Sequence, residues 1–227
     1  VREADRLVRL LSGEVGLFKV GKQLFMHAGP DVVRRIHRRG GEVFLDLKFH
    51  DIPQTVALAG VEAARLGVRI FNVHAAGGAT MMATTAAAIR DVCRRERLRR
   101  PLLLAVTVLT SLADEDLHAV GVPDTAAQQV VRLAKLAKKS GMDGVVASPR
   151  EIGAIRRACG KDFVILTPGI RQASDDRGDQ KRVETPEAAM RAGADYLVVG
   201  RPIRAAADPV AAARGIVRAM ARGLSAR

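Results

Sequence analysis

Short runs rich in Val, Ile, Leu and Phe recur along the chain at 15–21 (VGLFKVG), 42–49 (EVFLDLKF), 68–75 (VRIFNVHA), 101–109 (PLLLAVTVL), 144–149 (GVVASP), 163–170 (FVILTPGI) and 196–203 (YLVVGRPI). Each has the length and uniform apolarity of a strand covered on both faces. Alanine-rich segments with helical spacing lie between them, among them Pro53–Leu66, Thr125–Ser140 and Pro209–Met220. Strand alternating with helix predicts βα units on a parallel sheet. Three helices open on HDIPQT, ETPEAA and ADPVAA, where proline suits a first turn whose N–H would have no partner.

Two folds satisfy that alternation. An open doubly wound sheet places a glycine-rich phosphate loop after an early strand, and neither G-x-G-x-x-G nor a P-loop occurs. The expectation is therefore a (β/α)8 TIM barrel. Seven strands are visible where eight are needed, and the chain opens on a helix-like segment, so a first strand is expected to be missing from this sequence. With 227 residues, 48% hydrophobic and 27% charged, the expectation is a single barrel domain spanning 1–227. No run reaches the ~20 apolar residues of a membrane span, and the charged N-terminus VREADRLVRLL is not built like a secretory signal. Cys93 and Cys159 lie far apart without metal-ligand spacing and read as two unpaired thiols in a reducing compartment, which points to the cytoplasm.

A formal charge of +13 raises the question of nucleic acid, because a basic surface attracts phosphate backbones. The basic residues are 8 lysines and 29 arginines, many in helical segments such as VVRRIHRRG and CRRERLRR, where they fall on solvated faces. With one tyrosine, no tryptophan and no aromatics interleaved among the basic residues, the stacking platform of a single-strand binder is missing. Nucleic-acid binding and membrane association are not expected.

The stretch FLDLKFHDIP (44–53) places Asp46, Lys48 and Asp51 where a core strand and its exit turn should be. Side chains two apart on a strand share a face, so Asp46 and Lys48 point one way and Leu45, Leu47 and Phe49 the other. Both charges lie near the C-terminal end of their strand, where barrels build active sites. A purely structural ion pair there adds little net stability after desolvation. Lys19, in FKVG on the preceding strand, adds a third charge and suggests an alternating array. Asp51 fits either a helix cap or a functional role, and His50 reads as a turn residue. Asn72 and His74, two apart at a strand end, either face the mouth or support it. No pair of His or carboxylates has convincing metal spacing, and lysines beside Asp46 compete with any cation; no metal is expected.

The last strand ends in VVGRPI, where the Gly200 N–H and the Arg201 guanidinium offer an anion site at the place where barrels hold phosphate. The strand before it ends in TPGIR and is followed by the polar stretch QASDDRGDQKRV. Its length suits a lid bringing Arg171 and Gln180 over a phosphate.

Taken together, FKVG, FLDLKFHDIPQTV, NVHAAGGATMM, AVTVLTS, LTPGIR, GDQKR and VVGRPI, in this order from Lys19 to Ile203, closely resemble the bacterial orotidine 5′-phosphate decarboxylase family. The D-x-K-x-x-D core alone is shared with related phosphosugar barrels, whereas LKFHDIP with TPGIR and GDQ is more specific. The resemblance implies cofactor-free decarboxylation, with Lys19, Asp46, Lys48 and Asp51 as a charged catalytic array and Lys48 as proton donor. It implies pyrimidine and ribose contacts at Thr110 and near Ile52 and Thr55, and a phosphate site of Gln180, Gly200, Arg201 and Arg171. It further implies a homodimer in which Asp51 serves the neighbouring subunit. The family's ALD motif, on the first strand, has no counterpart ahead of Val1, in keeping with the expected missing strand. The alternatives are a metal-dependent phosphosugar decarboxylase or synthase of the same superfamily and, more remotely, a basic nucleic-acid-binding protein.

Overall fold

The computed structural model describes residues 1–170 and 184–226. All seven expected strands form: β1 (Phe18–Gly21), β2 (Val43–Phe49), β3 (Ile70–His74), β4 (Leu102–Val106), β5 (Gly144–Val146), β6 (Val164–Thr167) and β7 (Tyr196–Leu197). The helices are α1 (Arg2–Leu11), α2 (Lys22–Ala28), α3 (Asp31–Arg38), α4 (Pro53–Arg65), α5 (Gly78–Glu96), α6 (Asp114–Ala119), α7 (Ala126–Lys139), α8 (Ile152–Cys159), α9 (Pro186–Ala192), α10 (Arg201–Arg204) and α11 (Pro209–Ser225). The strands pair in chain order, β1 to β7, and every pairing is parallel. Sequential order has no reversal point, so this is barrel topology and not a doubly wound sheet.

The helix starts follow the chemistry legible in the sequence. Pro53, Pro186 and Pro209 each occupy the first turn of a helix. Thr185 Oγ1 accepts from the Ala188 N–H at 3.2 Å, and Asp208 Oδ1 accepts from the Val210 and Ala211 N–H groups at 2.9 and 3.0 Å. These contacts satisfy donors that the helix itself leaves without partners.

Strand alternation sorts the apolar residues into two cores. Leu45, Phe71, Val73, Leu103, Ala105, Val145 and Ile165 pack outward against the helices. Phe44, Ile70, Leu104, Val106, Val146 and Leu166 form the smaller cluster on the opposite face, inside the curl of the sheet. The β5–β6 approach admits only glycine at position 144, because a Cβ there would lie 2.1 Å from the Val164 carbonyl oxygen. Both cysteines are free and buried. Many arginines lie on solvated faces, paired locally as in Arg191 with Glu187 and Arg35 with Asp31, both at 2.6 Å. Among the described residues no helix is long and apolar enough to cross a membrane.

At the N-terminal end of the strands, carboxylates tie neighbouring segments together. Asp143 Oδ2 accepts from the Leu103 N–H and Asp195 Oδ2 from the Ile165 N–H, each at 2.8 Å. Arg156, on α8, donates to the carbonyls of Gly193 and Phe163 at 2.6 Å and pairs with Asp195. It therefore fastens the entries to β6 and β7, remote from the C-terminal ends of the strands. Arg156→Ala leaves those acceptors without a charged donor and is expected to cost roughly 2–3 kcal/mol. Urea unfolding should show a lower midpoint with an unchanged slope.

Candidate active site

Hydrophobic patterning carries β2 through the core as far as Leu45. Beyond it the register with β3 slips, from Leu45 opposite Phe71 to Phe49 opposite Val73, so the β2 segment 46–48 bulges out of the ladder. Lys48 sits in this bulge at φ +51°, a left-handed conformation that costs a non-glycine residue about 1–3 kcal/mol. Side-chain alternation was therefore a sound guide to which residues meet but not to the backbone that brings them together.

The three inward charges do meet. Lys48 Nζ donates to Asp46 Oδ1 at 2.6 Å, and Lys19 Nζ lies 3.3 Å from Asp46 Oδ2. In the ladder Gly21, not Lys19, stands opposite Asp46, while Lys19 pairs with Phe44. The length of the lysine side chain closes that offset. Asp46 is 8% exposed and receives a further hydrogen bond from the Asn72 amide at 2.8 Å. Burial is the largest single influence on its carboxyl and favours the neutral form. The Lys48 hydrogen bond and charge, the Asn72 bond and the Lys19 charge together outweigh it, holding the pKa below the usual carboxylate value.

His74, at the end of β3, is half-buried with its ring 5.5 Å from that of His50. Burial, then the charges of His50, Lys22 and Lys48, push its pKa down to about 4, so it is neutral at neutral pH. The neighbouring Lys48 is thus not faced by another cation from that position.

A cavity of about 700 Å³ is bounded by Lys19, Asp46, Lys48, Thr110, Gly200 and Arg201. Six positions singled out in the sequence, from four separate stretches, therefore share one space. Leu7 and Leu11 of α1 bound it as well, which sequence reasoning missed, because nothing in a helix's apolar stripe marks which part faces a cavity. Asp51, Ile52 and Thr55 are exposed and do not bound this cavity. Asp51 Oδ1 accepts from the Ile52 N–H at 2.7 Å, and Ile52 is 67% exposed, unusual for so apolar a side chain. Arg171 and Gln180 lie outside the described residues. Among the described residues no group of three or more His, Cys, Asp or Glu side chains is placed to hold a metal ion.

A seven-stranded parallel sheet in barrel order, with a charged, nucleotide-sized cavity bounded by side chains on and after its strands, defines an enzyme of the β/α-barrel class. Residues 1–216 match the sequence model of the orotidine 5′-phosphate decarboxylase / HUMPS family, and the chain belongs to that family. It is 60% identical to an orotidine 5′-phosphate decarboxylase of Syntrophotalea carbinolica over 97% of this chain and 91% of that one. It is 57% identical to the enzyme of that name from Syntrophus aciditrophicus, covering 97% and 88%. Among solved structures, orotidine 5′-phosphate decarboxylase from Lactobacillus acidophilus superposes with a TM-score of 0.81 at 38% identity, covering 95% of this chain and 93% of that chain. The enzyme from Pyrococcus horikoshii OT3 does so with a TM-score of 0.75 at 25% identity, covering 97% and 94%.

Proposed function

We propose that this chain converts orotidine 5′-phosphate to uridine 5′-phosphate and CO2, a step of pyrimidine biosynthesis, in the cavity bounded by Lys19, Asp46 and Lys48. The observation that carries the reading is the Lys19–Asp46–Lys48 array sharing one cavity with Gly200 and Arg201. Loss of CO2 from C6 of the pyrimidine leaves an electron pair in an in-plane orbital that the ring cannot delocalise. An ammonium fixed where that charge develops stabilises it and then supplies the proton. Lys48 takes this role. Asp46 and Lys19 hold it in place, and the electron pair left by the departing carboxyl group ends in the new C6–H bond.

Gly200 and Arg201 take the phosphate. Nothing lies within 4 Å of where a Gly200 side chain would begin, so no Cβ stands between its backbone and an anion, and the guanidinium can meet phosphate oxygens in pairs. Arg171 and Gln180 of the polar segment are assigned to the phosphate as well, and Thr110 to base and ribose, while Ile52 and Thr55, which lie outside this cavity beside Asp51, reach the nucleotide of the neighbouring subunit. The enzyme works as a homodimer in the cytoplasm. The exposed Ile52 beside Asp51 at the rim supports an interface there, and free buried cysteines suit a reducing compartment.

The test is loss of orotidine 5′-phosphate followed spectroscopically with and without chelator. Turnover that survives chelation supports the reading. Turnover abolished by it points to a metal-dependent relative of the same family. Arg201→Ala is expected to weaken nucleotide binding and slow decarboxylation by about tenfold or more. It should hardly change the slow reaction of the substrate without phosphate, because remote binding energy is what that substrate lacks. Equal damage to both would assign Arg201 to folding instead.

A further inference from the structure

Asn72 carries two hydrogen bonds to which the mechanism above gives no task. It stands in the middle of β3, fully buried, between Phe71 and Val73. Its Oδ1 accepts from the Lys48 backbone N–H at 2.9 Å, and its Nδ2 donates to Asp46 Oδ1 at 2.8 Å. That carboxylate oxygen also accepts from Lys48 Nζ at 2.6 Å. One amide therefore grips both ends of the lysine, its main chain directly and its ammonium through Asp46.

Resting on the decarboxylase reading, we infer that Asn72 is a positioning residue for that reaction, fixing the bulge that aims Lys48 and the carboxylate that holds its ammonium. The β2–β3 ladder cannot do this itself, since pairing lapses between Leu45 and Phe49. The Lys48 N–H must find its acceptor on a side chain, and the left-handed backbone at φ +51° must be held by something outside β2. The chemistry selects the residue type. An acceptor is required toward the N–H and a donor toward the carboxylate, and only an amide of this length offers both in fixed directions. An aspartate would keep the acceptor and set a second negative charge against Asp46. A leucine would leave the Lys48 N–H without its acceptor and take one of the two hydrogen bonds from Asp46 Oδ1. The groups facing Asp46 are Lys48 on its own strand, Lys19 from β1, and Asn72 and His74 from β3. Loss of the amide donor removes one of the contacts that favour its ionised form.

The test compares Asn72→Ala and Asn72→Asp with the unaltered chain in three measurements. Steady-state decarboxylation is expected to show kcat lower by about a hundredfold in both, the scale of misplacement by an ångström, with KM within about threefold. Uridine 5′-phosphate binding should persist, because Gly200 and Arg201 are untouched. Titration of Asp46 by carboxyl-carbon NMR should move to higher pH in both variants. Unchanged kcat and unchanged Asp46 titration in Asn72→Asp, which keeps the Lys48 acceptor and a similar volume, would overturn the inference. So would parallel losses of kcat, binding and thermal stability, which describe a packing residue. If the unaltered chain fails to turn over orotidine 5′-phosphate, the functional reading falls. The NMR titration still decides whether Asn72 sets the state of Asp46.

Discussion

Lys48→Ala chains bind uridine 5′-phosphate nearly as well as unaltered chains and decarboxylate orotidine 5′-phosphate at least about a hundredfold more slowly, the cost of removing one preorganised charge from a developing anion. The physical ground is the separation of functions along the cavity. The ammonium sits on Asp46 at 2.6 Å, whereas Gly200 caps α10 and Arg201 opens it, beyond the end of β7. Removing Lys48 therefore takes away stabiliser and proton source together and leaves the phosphate contacts standing. Isothermal titration with uridine 5′-phosphate, beside single-turnover decarboxylation, separates the two. Retention of more than about a tenth of the turnover would limit the contribution of Lys48 to ~1.4 kcal/mol, too little for the role assigned to it.

The second large effect is a recovery. Asp51 is exposed at the rim, makes a hydrogen bond to the adjacent Ile52 N–H, and does not bound the cavity that holds Lys48. If it serves the neighbouring subunit of a homodimer, Lys48→Ala and Asp51→Ala chains, each inactive alone, should complement one another after unfolding and reassociation. A mixed dimer carries both lesions at one site and neither at the other. Random pairing makes half the dimers mixed, so about a quarter of all sites should be intact in a closed two-fold assembly. Exchange of differently tagged chains shows whether mixed dimers form. If they form and activity stays at the level of the separate variants, Asp51 acts within its own subunit.

The local sequence determined much of this protein. Apolar runs of strand length between alanine-rich helical segments specify seven strands and their parallel arrangement, because burial on both faces leaves no polar alternation to satisfy. Thr185 and Asp208, each followed by proline, mark helix starts through hydrogen bonds that span only a few residues. The meeting of Asp46 with Lys48 was legible for the same reason, being a contact across two positions of one strand. Chemistry also marked Lys19, Gly200 and Arg201, since charge and a missing side chain are conspicuous at the ends of apolar runs.

Tertiary structure decided the rest. Nothing in FLDLKF announces a bulge at Lys48, because its stabilising partner, Asn72, lies 24 residues away. Nor does FKVG reveal that Lys19 pairs with Phe44 and must reach upward to Asp46, since register between strands is set by the whole sheet. Asn72 read as one of two polar residues at a strand end, and only its place opposite the lapse in the β2–β3 ladder gives it a task. Asp51, Ile52 and Thr55 belong with Lys48 in sequence and are parted from it in space, because the turn into α4 carries them outside the cavity. Spacing along a chain fixes which face a residue takes. Which neighbours wait on that face depends on long-range pairing, and there the sequence alone is silent.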